Sequence, residues 1–66
     1  MERSELLARI EFNLMGKAVI QDAGIWVSLV LDLISMGWST DEILDTYPVL
    51  EEADIYACII WREENP

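Results

Sequence analysis

The side chains of this chain that could do chemistry are almost all carboxylates. Thirteen Asp and Glu stand against four Lys and Arg, with no His and a single Cys, for a formal net charge of −9. Glu51, Glu52 and Asp54 lie close enough for two carboxylates to cooperate, but they open an expected helix. There, acids are explained by the free N–H groups and the positive end of the dipole. No His is present for proton transfer, and no Ser or Thr has a base to activate it. Cys58 sits inside the apolar run Ile55 to Trp61 with no cation nearby in sequence, so it reads as a core thiol rather than a reactive thiolate. The acids lack the ordered spacing of a calcium loop, and one Cys without His does not make a structural zinc site. The expectation is a chain that is not an enzyme and holds no metal or cofactor.

The cations are Arg3, Arg9, Lys17 and Arg62, so Ala18 to Trp61 contains none. A DNA-binding protein typically makes about 6–10 phosphate contacts through Lys and Arg. A recognition helix starting near Glu51 would present carboxylates to the groove. DNA is therefore not expected to bind through the helices. The remaining nucleic-acid option is a weak face formed by Arg3, Arg9 and Lys17, doubled in a dimer. An acidic surface suits a basic protein partner better.

The elements that must carry these residues begin with a small β arm. Leu6 and Ile10 have helical spacing, which leaves residues 1–8 ambiguous. Ile10, Phe12 and Leu14 then alternate with Arg9, Glu11 and Asn13, the period of a half-buried strand. Met15-Gly16 gives a turn, and Ala18-Val19-Ile20 is a short β-branched run. Asp22-Ala23-Gly24 breaks the chain again before Ile25-Trp26-Val27. Two or three very short strands are expected over residues 1–26.

Three helices follow over residues 27–63. The first runs from Val27 to about Met36, and its only polar residues, Ser28, Asp32 and Ser35, form one narrow stripe. Such a helix has to be covered on more than one side. Gly37 can take the left-handed conformation that ends it. Ser39-Thr40-Asp41-Glu42 is a capping box for a short helix from Thr40 to about Thr46, which Pro48 stops. The third starts near Glu51 or Glu52 and reaches about Glu63, with Arg62 to Pro66 as a polar, fraying tail.

Sixty-six residues form a single domain that buries only about 60% of its unfolded surface. With no disulfide or metal to staple it, yet 53% apolar residues, it is expected to gain stability as a homodimer. Trp26, Val30, Ile34, Tyr56, Ile60 and Trp61, on or flanking the two over-apolar helices, are the candidate interface. Trp38 and Tyr47 are assigned to the core. The longest apolar-rich stretch, Ala23 to Trp38, carries Asp32 and falls short of the roughly 20 residues of a membrane span. The charged start shows no secretory signal, and a cytoplasmic location is expected.

The order Gly16-Lys17, Val19-Ile20, Ile25, Val27, Leu33, Gly37-Trp38-Ser39, Glu42-Ile43-Leu44, Tyr47-Pro48, Leu50 and Asp54-Ile55 resembles the domain-of-unknown-function 433 family of small prokaryotic antitoxin-like proteins. The resemblance covers Gly16 to Trp61. It implies a mainly α, homeodomain-like three-helix domain (helix-turn-helix-like) preceded by short N-terminal β-strands, generally dimeric. It also implies a place in a toxin-antitoxin system, with the antitoxin binding and neutralising a PIN-like ribonuclease toxin. The alternative is a DNA-binding transcriptional autoregulator that uses the N-terminal β face of a dimer. Against the family pattern, Ala18 replaces a usual Pro, Asp22-Ala23-Gly24-Ile25 lacks a usual Arg, and Glu51 stands where Thr or Ser usually caps. Losing an Arg and gaining acids favours protein binding over DNA binding.

Overall fold

The computed structural model describes residues 2–65. It is mainly helical, with one small two-stranded antiparallel sheet. In chain order the elements are α1 (Arg3–Leu7), β1 (Ile10–Phe12), β2 (Ala18–Ile20), α2 (Val27–Ser35), α3 (Thr40–Thr46) and α4 (Glu52–Glu64).

Local chemistry sets the middle of the chain. α2 ends at Gly37 with φ of 94°, where the Trp38 N–H donates to the Leu33 carbonyl and the Gly37 N–H to that of Ile34, both at 3.0 Å. These two bonds satisfy carbonyls that the helix end would otherwise leave open. In the capping box of α3, Ser39 Oγ accepts from the Glu42 N–H at 3.2 Å, and the Glu42 carboxylate accepts from the Ser39 N–H at 3.0 Å. Tyr47, held before Pro48, has left helical geometry at φ −122°, ψ 77°. At the start of α4 the Asp54 carboxylate accepts from the Glu51 N–H at 2.8 Å.

Two terminal segments differ from expectation for tertiary reasons. The ambiguous start is helical as α1, because Leu6 buries against α4. The expected fraying tail, apart from Pro66 outside the described residues, is helical through Glu64. There the Asn65 side-chain amide donates to the Trp61 carbonyl at 3.0 Å. Arg3 ties the two together, 3.5 Å from Glu63 and 3.7 Å from Glu64.

The core contains Ile20, Val27, Val30, Leu33, Ile43, Leu50, Ile55 and Cys58, with Trp38 and Tyr47 packed against it. α2 packs against β2, α3 and α4, so its wide apolar face is largely closed within one chain. Val30, expected at an interface, is 1% exposed and belongs to this core. The exposed surface is 4384 Å², close to the roughly 4,300 Å² typical of a folded monomer of this mass. No helix among the described residues is long and apolar enough to cross a membrane.

Candidate interaction surface

The hairpin displays apolar side chains to solvent. Its loop is built around Asn13, whose side-chain oxygen accepts from the N–H groups of Met15 at 2.9 Å and Lys17 at 3.0 Å. The Asn13 N–H donates to the Lys17 carbonyl at 3.0 Å, and Gly16, at φ 77°, supplies the left-handed residue the return requires. This turn leaves Leu14 fully exposed and Met15 71% exposed, beside Phe12 at 65%. The alternation in sequence thus gives a strand of the expected period, but only Ile10 of its apolar set is half-buried.

A shallow apolar groove of about 270 Å³ runs from the hairpin to the helices, lined by Phe12, Ala18, Val27, Leu31 and Trp61 with Lys17 at one side. A second hollow, of about 210 Å³, shares Phe12 and Trp61 and adds Leu7 and Ile10. Trp61 is placed here because it continues the buried face of α4, at i+7, i+4 and i+3 from Asp54, Ala57 and Cys58.

The other interface candidates are dispersed. Tyr56 and Ile60 share a different face of α4, where the Tyr56 hydroxyl donates to Glu52 at 2.9 Å. That bond holds the phenol pKa above its ordinary value. Trp26 is the N-cap of α2, pairs by a single bridge with Val19, and is partly exposed; Ile34 is half-buried against the core. Phe12 and Leu14 are exposed although strand alternation predicts a half-buried apolar face, and Met15 is exposed in the turn that the sequence predicts.

Two of the four cations pair with acids of the same chain. Arg9 Nη1 lies 3.0 Å from Asp54 Oδ1 and 3.3 Å from Glu51 Oε2, and Asp54 is buried. The hydrogen bond to Asp54 is the main reason that the Arg9 pKa is raised further. Arg3 is occupied by Glu63 and Glu64. Of the weak nucleic-acid face expected from Arg3, Arg9 and Lys17, two of the three cations lie within ion-pair distance of acids of the same chain. Among the described residues only Lys17 and Arg62 have no ion-pair partner within 4.0 Å. A cleft of about 450 Å³ beside the Arg9 pair is edged by Glu5, Asp22 and Glu51. Of the 13 acids in the chain, Asp54 alone is buried, which leaves the others facing water.

Cys58 is wholly buried, and its thiol is pushed up to about 12, first by burial and then by the charge of Asp54. A thiol in that state is neither a nucleophile nor a metal ligand at neutral pH.

Neither the curated proteins nor the solved structures gave a match to this chain. One family model does match: that described as Protein of unknown function (DUF433), over residues 13–61. The matched segment starts in the hairpin loop and ends at Trp61, so it takes in the Gly37 turn, the capping box and most of α4. It spans well over half of the chain and agrees with the resemblance carried by Gly16 to Trp61, and the chain therefore belongs to the DUF433 family.

Proposed function

We propose that this protein is a cytoplasmic, non-catalytic interaction module. In this reading it is an antitoxin-like homodimer that binds and neutralises a basic partner of the PIN-like ribonuclease type. The arrangement of α2, α3 and α4 is read as homeodomain-like, with the fold serving protein contact rather than DNA contact. One observation carries the reading: the surface acids face solvent, while Arg3 and Arg9 are turned onto acids of their own chain. Such a surface attracts a cationic protein and repels phosphate. A DNA-binding autoregulator would have to work with Lys17 and Arg62 as its unpaired cations, far below the number a typical binder uses.

The test is co-expression with the product of the adjacent reading frame, followed by purification and a ribonuclease assay. A stable complex that suppresses cleavage and weakens with salt is the expected result. Failure to form any complex at low salt overturns the reading. A mobility shift with the protein's own promoter, alone and with the partner, tests the DNA alternative.

A further inference from the structure

We infer that the hairpin is the seam between two copies of this chain, β1 of one pairing antiparallel with β1 of the other about Phe12. This rests on the homodimer in the function proposed above and names the surface that forms it.

Backbone direction supplies the first argument. The Gln21 N–H donates to the Arg9 carbonyl at 2.7 Å, and the Asn13 N–H to the Lys17 carbonyl at 3.0 Å. Hydrogen-bonded pairs alternate in an antiparallel ladder, so Arg9, Glu11 and Asn13 spend their backbone groups on β2. Those of Ile10 and Phe12 point the other way. The far side of β2 is already engaged, since the Ile20 N–H donates to the Ile25 carbonyl at 2.8 Å. β1 is therefore the open edge of the sheet, and open edges recruit strands.

Charge decides what occupies it. With Arg9 paired to Asp54 and Glu51, the hairpin itself, residues 10–20, sets Lys17 against Glu11, a balance of zero in a chain of −9. A basic partner is drawn to the acidic faces elsewhere. Two copies of one acidic chain repel everywhere except where charge is least, and this stretch also carries three strongly exposed apolar residues, Phe12, Leu14 and Met15.

The register follows from the side chains. Centring the two-fold on Glu11 sets two carboxylates opposite each other, which is unfavourable. Centring it on Ile10 aligns the new strand with Ala8, which has αR geometry as the C-cap of α1 and cannot extend the ladder. Centring it on Phe12 sets that exposed side chain opposite its counterpart and Glu11 opposite Asn13, whereas Ile10 is half-buried in its own chain; Leu14, in the hairpin turn, lies beyond the ladder. Phe12, left uncovered in one chain, then meets its counterpart on one face of a four-stranded sheet, beside the Trp61 groove of each copy.

The experiment uses the whole chain at 1–100 μM, about the range in which a weak dimer forms. Size exclusion with light scattering should show a dimer. Phe12→Glu should raise its dissociation constant by at least about 30-fold with an unchanged far-UV spectrum, as removal of a central aromatic anchor does. Phe12→Cys should form an intermolecular disulfide, because paired Cα atoms at about 5.5 Å lie within disulfide reach. Met36→Cys, exposed at the end of α2, should not. A wild-type monomer throughout overturns the homodimer reading and the seam with it. A dimer that tolerates Phe12→Glu, or that fails to cross-link through Phe12→Cys, overturns the seam alone.

Discussion

Val30→Ala separates a core from an interface at a single position. Val30 is 1% exposed, one residue after Leu29 at 37%, on the same helix. The substitution removes two methyl groups, about 1.6 kcal/mol of lost burial. The cavity that remains after partial collapse adds under about 1 kcal/mol, giving about 2 kcal/mol in all. At about 0.05–0.15 kcal/mol per residue, the whole domain has only about 3–10 kcal/mol. For a chain of this size the loss lowers Tm by about 8–16 °C. The assay is thermal unfolding followed by circular dichroism across a 100-fold range of protein concentration, with Leu29→Ala as the control. A core residue shifts the curve by the same amount at every concentration; an interface residue acts through association, and its effect varies with concentration. If Val30→Ala leaves dilute protein unchanged and destabilises only concentrated protein, the packing described for α2 is refuted.

Four further outcomes are expected. Ser39→Ala should cost about 1 kcal/mol by removing the acceptor at the start of α3, read by urea denaturation. In the reciprocal half of the box, bonds from Ser39, first through its backbone N–H and then through its side chain, hold the Glu42 pKa below its ordinary 4.5. Their contribution is therefore fully present above that value and is lost as pH falls through the lowered one, so Glu42→Gln should flatten the acid limb of the stability profile. Cys58 should resist a thiol reagent at pH 8 in the native protein and react at once in denaturant, since its pKa is near 12; prompt native labelling would contradict its burial. Gly37→Ala should cost about 1 kcal/mol, because φ of 94° strains any residue with a Cβ; a neutral result would mean that α2 ends differently.

The parts legible in the sequence are those decided within a few residues. Ser39 with Glu42, and Pro48 after Tyr47, bound α3 at Thr40 and Thr46 without reference to anything distant. Gly37 does the same for the end of α2, and the acids at Glu51 and Glu52 mark the start of α4. What stayed hidden depends on partners far along the chain. α1 exists because Leu6 finds α4; the helical spacing of Leu6 and Ile10 alone leaves the segment ambiguous. Arg9 looked like a free cation because the acid that binds it lies 45 residues away. The apolar circumference of α2 suggested a missing partner, yet β2, α3 and α4 supply most of the cover. At the candidate site the alternation gave β1 its period, while Phe12 and Leu14 are exposed at the loop end of a hairpin whose other end, with Ile20, is buried in the core.

The bond from Arg9 to Asp54, and that from Arg3 to Glu63 across 60 positions, make the fold a closed loop of chain. During synthesis α1 emerges long before the helix it rests on. Leu6 must wait exposed until α4 has cleared the ribosome, so the domain closes in one late step. Long-range closure of this kind is slow compared with local helix formation. It also leaves α1 available to proteases and chaperones in the interval.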